Sequence, residues 1–203
     1  MLHRSGWRNA PEALTVKDAV LPIQNQRASK WSEQKGKAGK TMRELCRVDR
    51  KLSEEDAKEV LRKASFGTLA TINEDGWPYA APMAFALEGD TLYFHSAKRG
   101  QKLENITRDG RASFTAVLYA HNVPERFEVI YASAIAQGPV RILTEESERM
   151  AAMRAICEKY SADHVDTPAY ERTMKGMSAV VMFALDIQQL RGKANKGRLL
   201  EEN

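Results

Sequence analysis

The sequence has no long hydrophobic run among its 203 residues. No stretch approaches the roughly 20 consecutive apolar residues that a membrane-spanning helix needs, so a membrane protein is not expected. Near the N-terminus, the apolar stretch Ala19–Ile23 is short and is broken by a proline, which is not typical of a secretion signal. We therefore expect a cytoplasmic protein.

Cysteine is also scarce, and the potential metal ligands are scattered. Cys46 and Cys157 are the only cysteines, and neither belongs to a CxxC motif. Zinc ligands normally occur as closely spaced pairs of Cys or His. The four histidines do not have that spacing; they are His3, His95, His121 and His164. We therefore expect two reduced thiols and no metal centre.

Positive charge is concentrated at the start of the chain. Residues 1–50 contain 11 Lys or Arg against 5 Asp or Glu, whereas residues 51–203 contain 20 against 22. Little apolar periodicity is present in residues 1–41, which predicts a basic, flexible extension. Such an arm suits nucleic acid or an acidic surface, but the chain has no zinc finger, recognition helix or aromatic ribonucleoprotein motif. Nucleic acid is therefore not the expected partner.

Apolar patterns and turn residues in the rest of the chain predict six strands and four helices. The strands are expected at 66–72, 79–87, 92–94, 112–119, 127–143 and 179–190, and the helices at 53–65, 100–108, 145–160 and 167–176. We expect the first three strands to form a meander and Gly138–Pro139 to interrupt the fifth as a bulge. Mostly antiparallel strands with attached helices favour a mainly β (α+β) small barrel, because closure removes exposed sheet edges.

The segment Leu92–Ile106 carries the strongest functional signal. A strand runs into a polar turn that contains His95, Ser96 and two further cations, and a helix opens near Gly100 with Lys102 in its first turn. The unpaired N–H groups and the positive dipole end of a helix start favour an anion. We interpret this turn as a phosphate cradle for a nucleotide-like cofactor. A capped helix start with a solvated basic face is the alternative.

Seven short motifs occur in a characteristic order. They are Gly67–Thr71, Asp75–Pro78, Ala81–Met83, Leu92–Ala97, Gly100–Lys102, Arg111–Phe114 and Arg191–Lys193. Together they resemble the split-barrel flavin-binding superfamily of pyridoxamine 5′-phosphate oxidase-like proteins, in the branch that includes nitroimidazole-resistance (Nim-type) proteins. The resemblance covers about residues 42–197 and leaves residues 1–41 and a C-terminal tail over 198–203 outside. It implies an antiparallel six-stranded split β-barrel with peripheral helices that forms a homodimer.

The resemblance also implies a cofactor, FMN, in a groove between the two subunits. The implied cofactor-binding residues are Pro82, Met83 and Ala84 along the isoalloxazine ring, His95, Ser96, Ala97 and Lys102 near the phosphate, and Ser113 and Lys193 in the groove. An outward-facing strand serine is the alternative for Ser113, and a solvated lysine is the alternative for Lys193. His95 is the expected catalytic residue, since an imidazole beside the cofactor can donate a proton near neutral pH. A His95 that only binds phosphate is the other interpretation.

The implied activity is a flavin-dependent oxidoreductase that acts on a small-molecule substrate, such as a nitroaromatic or another small electrophile. No Rossmann GxGxxG fingerprint is present, so a nicotinamide reductant is expected to bind only transiently. The basic residues that would recognise pyridoxal phosphate are not evident, and pyridoxamine phosphate oxidase activity is not expected. Two alternatives remain: a non-catalytic flavin or haem carrier or sensor with His121 or His164 as haem ligand, and a nucleic-acid-binding arm on a dimeric barrel.

Overall fold

The computed structural model describes residues 45–195, which form eight strands and four α-helices. The predicted arm over residues 1–41 and the tail over residues 198–203 lie outside the described residues. The strands are β1 Gly67–Ile72, β2 Pro78–Met83, β3 Ala86–Glu88, β4 Thr91–Ala97, β5 Arg111–Val123, β6 Glu128–Ile142, β7 Val180–Asp186 and β8 Gln189–Ala194, and the helices are α1 Glu54–Lys63, α2 Gln101–Arg108, α3 Glu146–Ser161 and α4 Pro168–Lys175. Every strand pair is antiparallel, so the protein is α+β.

Helix α1 confirms the start signal in the sequence. Ser53 is the N-cap, and its Oγ accepts a hydrogen bond of 3.0 Å from the backbone N–H of Asp56. Such a cap satisfies one of the N–H groups that a helix start leaves unpaired. The predicted apolar stripe is buried, with Val60 and Leu61 both at 0% exposure. The other three helices also begin and end within two residues of their predicted bounds.

Strand β6 is shared between two halves of the sheet. Up to Pro139 it pairs with β5, and along residues 132–137 it pairs with β8 on its other side, whereas from Val140 onward it pairs with β7. A Cβ atom on Gly138 would lie 1.9 Å from the carbonyl oxygen of Asp186, at the end of β7. Only glycine therefore allows the two backbones to approach so closely, at the position where the sequence predicts an interruption.

Two of the six predicted strands are each divided in two. The segment predicted at 79–87 breaks at Ala84 and Phe85, because β2 pairs with β1 whereas β3 pairs with β4. The segment predicted at 179–190 breaks at Ile187 and Gln188. The N–H groups of these two residues donate instead to the carbonyl oxygens of Asp90 (2.8 Å) and Gln137 (2.9 Å).

The expected meander of the first three strands is wrong. The sheet order is β2-β1-β5-β6-β7-β4-β3, with β8 beside β6. After the β1–β2 hairpin, the chain does not add a third strand beside β2. It forms a second hairpin, β3–β4, at the opposite end of the sheet order. The turn residues of both hairpins were predicted, but the change of sheet partner between them leaves no local signal.

Four phenylalanines with 0% exposure form the centre of the main core. The ring centroids of Phe85 and Phe114 lie 4.5 Å apart, those of Phe94 and Phe114 5.2 Å, and those of Phe94 and Phe183 5.1 Å. A second apolar cluster lies on the other side of β4 and β7, where α3 contributes Met153 and Ile156. Helix α3 thus covers the strand face that the main core leaves open.

We predict that Gly138→Ala lowers the free energy of unfolding by about 1–3 kcal/mol, the usual cost of an overpacked site, or by more. The added Cβ must displace the backbone at Asp186, which no side-chain rotation can relieve. Denaturant unfolding followed by circular dichroism measures this change.

Gly176→Ala is the matched control, because a Cβ there would meet no atom within 4 Å. We expect its effect to stay within about 0.5 kcal/mol. Equal losses in the two variants would contradict the role given to Gly138.

Candidate functional site

One face of the sheet is directed away from the main core; we call it the outer face. It spans β2, β1, β5, β6 and β8, and the strand register aligns its residues in three rows. The rows are Pro82, Thr68, Thr115, Ile135 and Arg191; Ala80, Ala70, Ser113, Gln137 and Gln189; and Val117, Ser133 and Lys193. Arg191 and Lys193, both on β8, are the only charged residues in these rows. Three predicted site residues, Pro82, Ser113 and Lys193, therefore share an outer face that carries no acidic side chain.

Strand β2 lies at one end of the sheet order and pairs with β1. Pro78 and Pro82 have no N–H group to donate to β1, so the pairs they form must be non-hydrogen-bonded. The backbone carbonyls of these two residues and of Ala80 are consequently directed outward. This edge offers acceptors to a ligand, while its prolines hinder pairing with another strand. Met83 is buried at 6% exposure, and Ala84 is half-buried at the break between β2 and β3.

The end of helix α3 fixes this break. The phenolic oxygen of Tyr160 accepts from the N–H of Phe85 at 3.0 Å and donates to the carbonyl of Ser65 at 2.8 Å. Lys159 Nζ lies 3.5 Å from the centroid of the Phe85 ring and donates to the carbonyl of Leu61 at 3.0 Å. Burial lowers the pKa of Lys159 to about 8. Sequence reasoning missed both residues, because nothing local marks the polar end of this helix as a contact to β3.

His95 lies on β4, where Leu92, Phe94 and Ser96 are buried on the main-core side. Strand alternation places His95 on the opposite face, with its register partner Met182. The imidazole is half-buried, and its Nδ1 atom is fully buried without a hydrogen-bond partner among the described residues. A buried polar atom without a partner costs free energy, so Nδ1 marks a position where a ligand would be favourable.

Lys102, in the first turn of α2, is the charged neighbour of His95. Burial lowers the pKa of His95 below its usual 6.5, and the Lys102 charge lowers it further. Burial also lowers the pKa of Lys102, which forms no ion pair with a carboxylate among residues 45–195. The N-cap of α2 is Gly100, which has no side chain to cap the helix. The partly buried charge of Lys102, its lack of a carboxylate partner and the uncapped start of α2 all favour an anion at this place.

The two remaining cradle residues face different ways. Ser96 is buried at 9% exposure, and its hydroxyl donates to the carbonyl of Ala97 at 3.0 Å. Ala97, the last residue of β4, is exposed. The structure thus places His95 and Lys102 as electrostatic neighbours, whereas the hydroxyl of Ser96 lies on the core side of the strand.

A polar network fastens α2 to the end of β1. Asn105 is 2% exposed, and its amide donates to Thr71 Oγ1 at 3.0 Å and to Asn73 Oδ1 at 2.9 Å. Gln101 donates to the same Asn73 oxygen at 3.0 Å, and Arg108 donates to the carbonyl of Ile72. The network holds the first turn of α2, and with it Lys102. The sequence did carry a signal, since Asn105 lies between Leu103 and Ile106 on the apolar face of the predicted helix.

The candidate haem ligands are both exposed. His121 stacks on Tyr119 with ring centroids 5.7 Å apart. His164 lies in a short 3₁₀ helix, and its backbone carbonyl accepts a hydrogen bond from the hydroxyl of Thr167. Within residues 45–195, no group of three or more His, Cys, Asp or Glu side chains could hold a metal ion. No helix in the same range is long and apolar enough to cross a membrane.

The comparisons with known proteins agree with this fold. The family model described as pyridoxamine 5′-phosphate oxidase matches residues 53–194, and the chain belongs to this family. No curated protein matches the chain.

Three solved structures illustrate the likeness. A candidate 5-nitroimidazole antibiotic resistance protein from Bacteroides thetaiotaomicron is 23% identical, with a TM-score of 0.61 over 70% of this chain and 85% of that one. A conserved hypothetical protein from Mycobacterium tuberculosis is 20% identical, with a TM-score of 0.65 over 79% and 96%. An FAD and haem binding protein from Mycobacterium smegmatis is 19% identical, with a TM-score of 0.58 over 71% of this chain and 72% of that one. At these identities the likeness establishes the fold.

We predict that His95 titrates below pH 6.5 and that saturating sulfate raises its pKa, because a bound anion favours the imidazolium. Lys102→Gln should also raise the pKa of His95, because it removes the neighbouring positive charge. NMR titration of the histidine ring protons measures both shifts, and His95→Gln assigns the resonance. Indifference of the resonance to sulfate would argue against an anion at this position.

Proposed function

We propose that the protein is a cytoplasmic, homodimeric oxidoreductase that uses FMN to reduce a small electrophilic substrate. The observation that carries the proposal is the pairing of Lys102 with His95 at the start of α2, in a chain of the pyridoxamine 5′-phosphate oxidase family. The folded domain would extend over residues 42–197. Free thiols at Cys46 and Cys157 are compatible with a reducing compartment.

The residues present fit the phosphate of FMN. Lys102 would supply a positive charge, Nδ1 of His95 a hydrogen-bond donor, and the N–H groups at the end of β4 and the start of α2 further donors. Within residues 45–195, Lys102 has no carboxylate partner, Nδ1 of His95 has no hydrogen-bond partner, and the start of α2 has no side-chain cap. A dianionic phosphate satisfies all of them at once.

The flavin ring would lie along Pro82, Met83 and Ala84. Outward carbonyls on the β2 edge can accept hydrogen bonds from a ring N–H, and Tyr160 holds the following residue, Phe85, at 3.0 Å. Ser113 lies on the outer face in the row next to that of Pro82. These residues would orient the ring and keep water from one side of it.

A second copy of the chain would cover the outer face. Isolated hydrophobic side chains are ordinary on a surface, but here Val117 and Ile135 are 50% and 40% exposed in rows without an acidic residue. Two exposed apolar side chains among small polar ones, in rows without an acidic residue, suit a two-fold contact between copies of the same face. Lys193 lies about 16 Å from Ser113, estimated from four residues along β6 and two strand spacings. It would therefore contact a different part of a bound ligand, or one held by the other subunit.

The hydride or electron transfer would come from the flavin, and the protein would control position and protons. Burial and the charge of Lys102 lower the pKa of His95, which favours the neutral imidazole in the free protein. A phosphate beside it would raise that pKa and favour a proton on Nδ1. The imidazolium carries a second N–H at Nε2. Because a nitro group gains negative charge as it is reduced, a proton donated from Nε2 would stabilise the product. A nicotinamide compound is the proposed transient reductant.

The alternative is a non-catalytic flavin or haem carrier or sensor on the same fold. The Mycobacterium smegmatis protein with this fold is described as binding FAD and haem. His121 and His164 are exposed and therefore accessible to a haem iron. Tight cofactor binding without turnover would favour this alternative over the enzyme.

We predict that Lys102→Ala weakens FMN binding by about 1.5–3 kcal/mol, or roughly 10- to 150-fold in Kd, the scale of a charge-assisted hydrogen bond. Quenching of flavin fluorescence during titration of the cofactor-free protein measures Kd. Lys175→Ala, which removes the same charge from an exposed position on α4, should leave Kd unchanged.

A second control separates the dimer from the phosphate contact. Ile135→Lys places a charge on the outer face and should produce monomers that bind FMN poorly, as measured by sedimentation velocity with and without FMN. Ala151→Lys, at an exposed position on α3, should remain a dimer. A monomeric wild-type chain that binds FMN tightly would refute the site between subunits.

If His95 is the proton donor, His95→Ala should keep most of its FMN, because Lys102 and the backbone N–H groups remain, but should lose turnover by about 100-fold or more. Steady-state reduction of a nitroaromatic compound with NADPH, together with the flavin content of the purified variant, gives both quantities. Joint loss of flavin and activity would make His95 a cofactor-binding residue instead.

A further inference from the structure

A second group of cations surrounds Tyr131 on β6, away from His95 and Lys102. Arg50, Tyr131 and Lys193 are all half-buried, and we call them the Tyr131 cluster. Lys193 Nζ lies 5.9 Å from the centroid of the Tyr131 ring. Arg50 and Lys193 are both near enough to lower the pKa of the phenol. Two cations thus lie beside one neutral side chain.

The backbone holds these three residues in place. The N–H of Leu52 donates to the carbonyl of Gly192 at 3.1 Å, and Lys51 forms an isolated β-bridge with Lys193. A Cβ on Gly192 would lie 2.8 Å from the Cβ of Leu52, so only glycine allows this approach. The glycine of the Gly192–Lys193 motif is therefore what brings the segment carrying Arg50 against β8.

The other side of the cluster is fixed as well. The N–H of Asn195 donates to the carbonyl of Tyr131 at 2.9 Å, and its side-chain amide donates to the carbonyl of Val129 at 2.6 Å. Ser133 donates to the carbonyl of Lys193 at 3.4 Å. Both cations and the phenol consequently project from backbone that is tied by hydrogen bonds.

No carboxylate balances the two cations in the part of the chain that the structure describes. The charge of Arg47 also interacts with Tyr131, but Arg47 forms a salt bridge with Asp49, with Nη2 and Oδ2 2.6 Å apart. Burial would raise the pKa of Tyr131, but the nearby Arg50 and Lys193 lower it. The surroundings of this phenol therefore favour negative charge.

We propose that Arg50, Tyr131 and Lys193 form a second oxyanion-binding site, which takes the phosphate or carboxylate group of a small molecule. The guanidinium binds two oxygens of such a group side by side, the ammonium adds a point charge, and the phenol O–H donates a third contact. The oxyanion belongs to a second ligand, such as the reductant or substrate, because FMN carries a single phosphate and the start of α2 is proposed to hold it. The site stands independently of the proposed function, because it requires neither FMN nor turnover.

The test uses the full chain with Lys102→Ala, so that the first anion site is weakened, and inorganic phosphate as the probe. Isothermal titration should still detect phosphate binding in this protein. Adding Arg50→Gln should weaken it at least tenfold, and adding Lys193→Gln should do the same. Arg172→Gln, an exposed position on α4, is the matched charge control and should change nothing. Circular dichroism confirms that each variant is folded.

A second readout reports on Tyr131 directly. Phosphate should raise the pKa of one tyrosine in an ultraviolet difference titration, and Tyr131→Phe should abolish that signal. Absence of phosphate binding in the Lys102→Ala protein, or equal affinity in the Arg50→Gln and Arg172→Gln variants, would overturn the proposal.

Repeating the titration with FMN-saturated wild-type protein identifies the source of the oxyanion. Continued phosphate binding that depends on Arg50 indicates a second ligand. Exclusion of phosphate by bound FMN, together with weaker FMN binding in Arg50→Gln, would show that the single phosphate of FMN lies at the Tyr131 cluster, and would overturn the assignment to a second ligand. A chain that binds no FMN would leave the phosphate result unchanged, so failure of the proposed function can be distinguished from failure of this site.

Discussion

The close crossing of β6 and β7 at Gly138 is the contact on which the arrangement of the site depends. Because no side chain separates Gly138 from the carbonyl of Asp186, β6 can leave β8 and continue along β7. One half of the strand then supports the outer face, and the other half supports the β7–β4 pair that carries His95. A backbone contact with no chemistry of its own thus holds both candidate binding regions in one sheet.

Local sequence signals predicted much of this fold. The parts that depend on pairing between distant segments could not be predicted from them. Ser53, the apolar stripe of α1 and the interruption at Gly138 could be predicted because each depends on residues near in sequence. The division of the strands at Phe85 and Ile187 could not, because both breaks are set by the partner strand. Similarly, the turn around Lys102 could be predicted from the sequence. In the Tyr131 cluster, by contrast, Arg50 and Lys193 are about 80 and 60 positions from Tyr131 along the chain. They come together only because β8 lies beside β6.

Electrostatics gives the two regions a common character. Arg141 illustrates the usual solution for a cation in this protein, since it binds Glu148 at 2.7 Å and Asp186 at 2.9 Å. Lys102 and Lys193 have no such carboxylate partner among residues 45–195. A half-buried cation without a counter-charge is unfavourable for folding alone and becomes favourable when an anion binds. Both proposed sites therefore rest on one argument, that a bound anion would supply the counter-charge these lysines lack among residues 45–195.

The most direct measurement is the visible absorption spectrum of the freshly purified protein, with mass analysis of any small molecule that heat releases. The account predicts a flavin spectrum and the mass of FMN. A haem spectrum would favour the carrier alternative. A colourless protein that also fails to bind added FMN would contradict the central claim that the start of α2 holds the phosphate of a flavin.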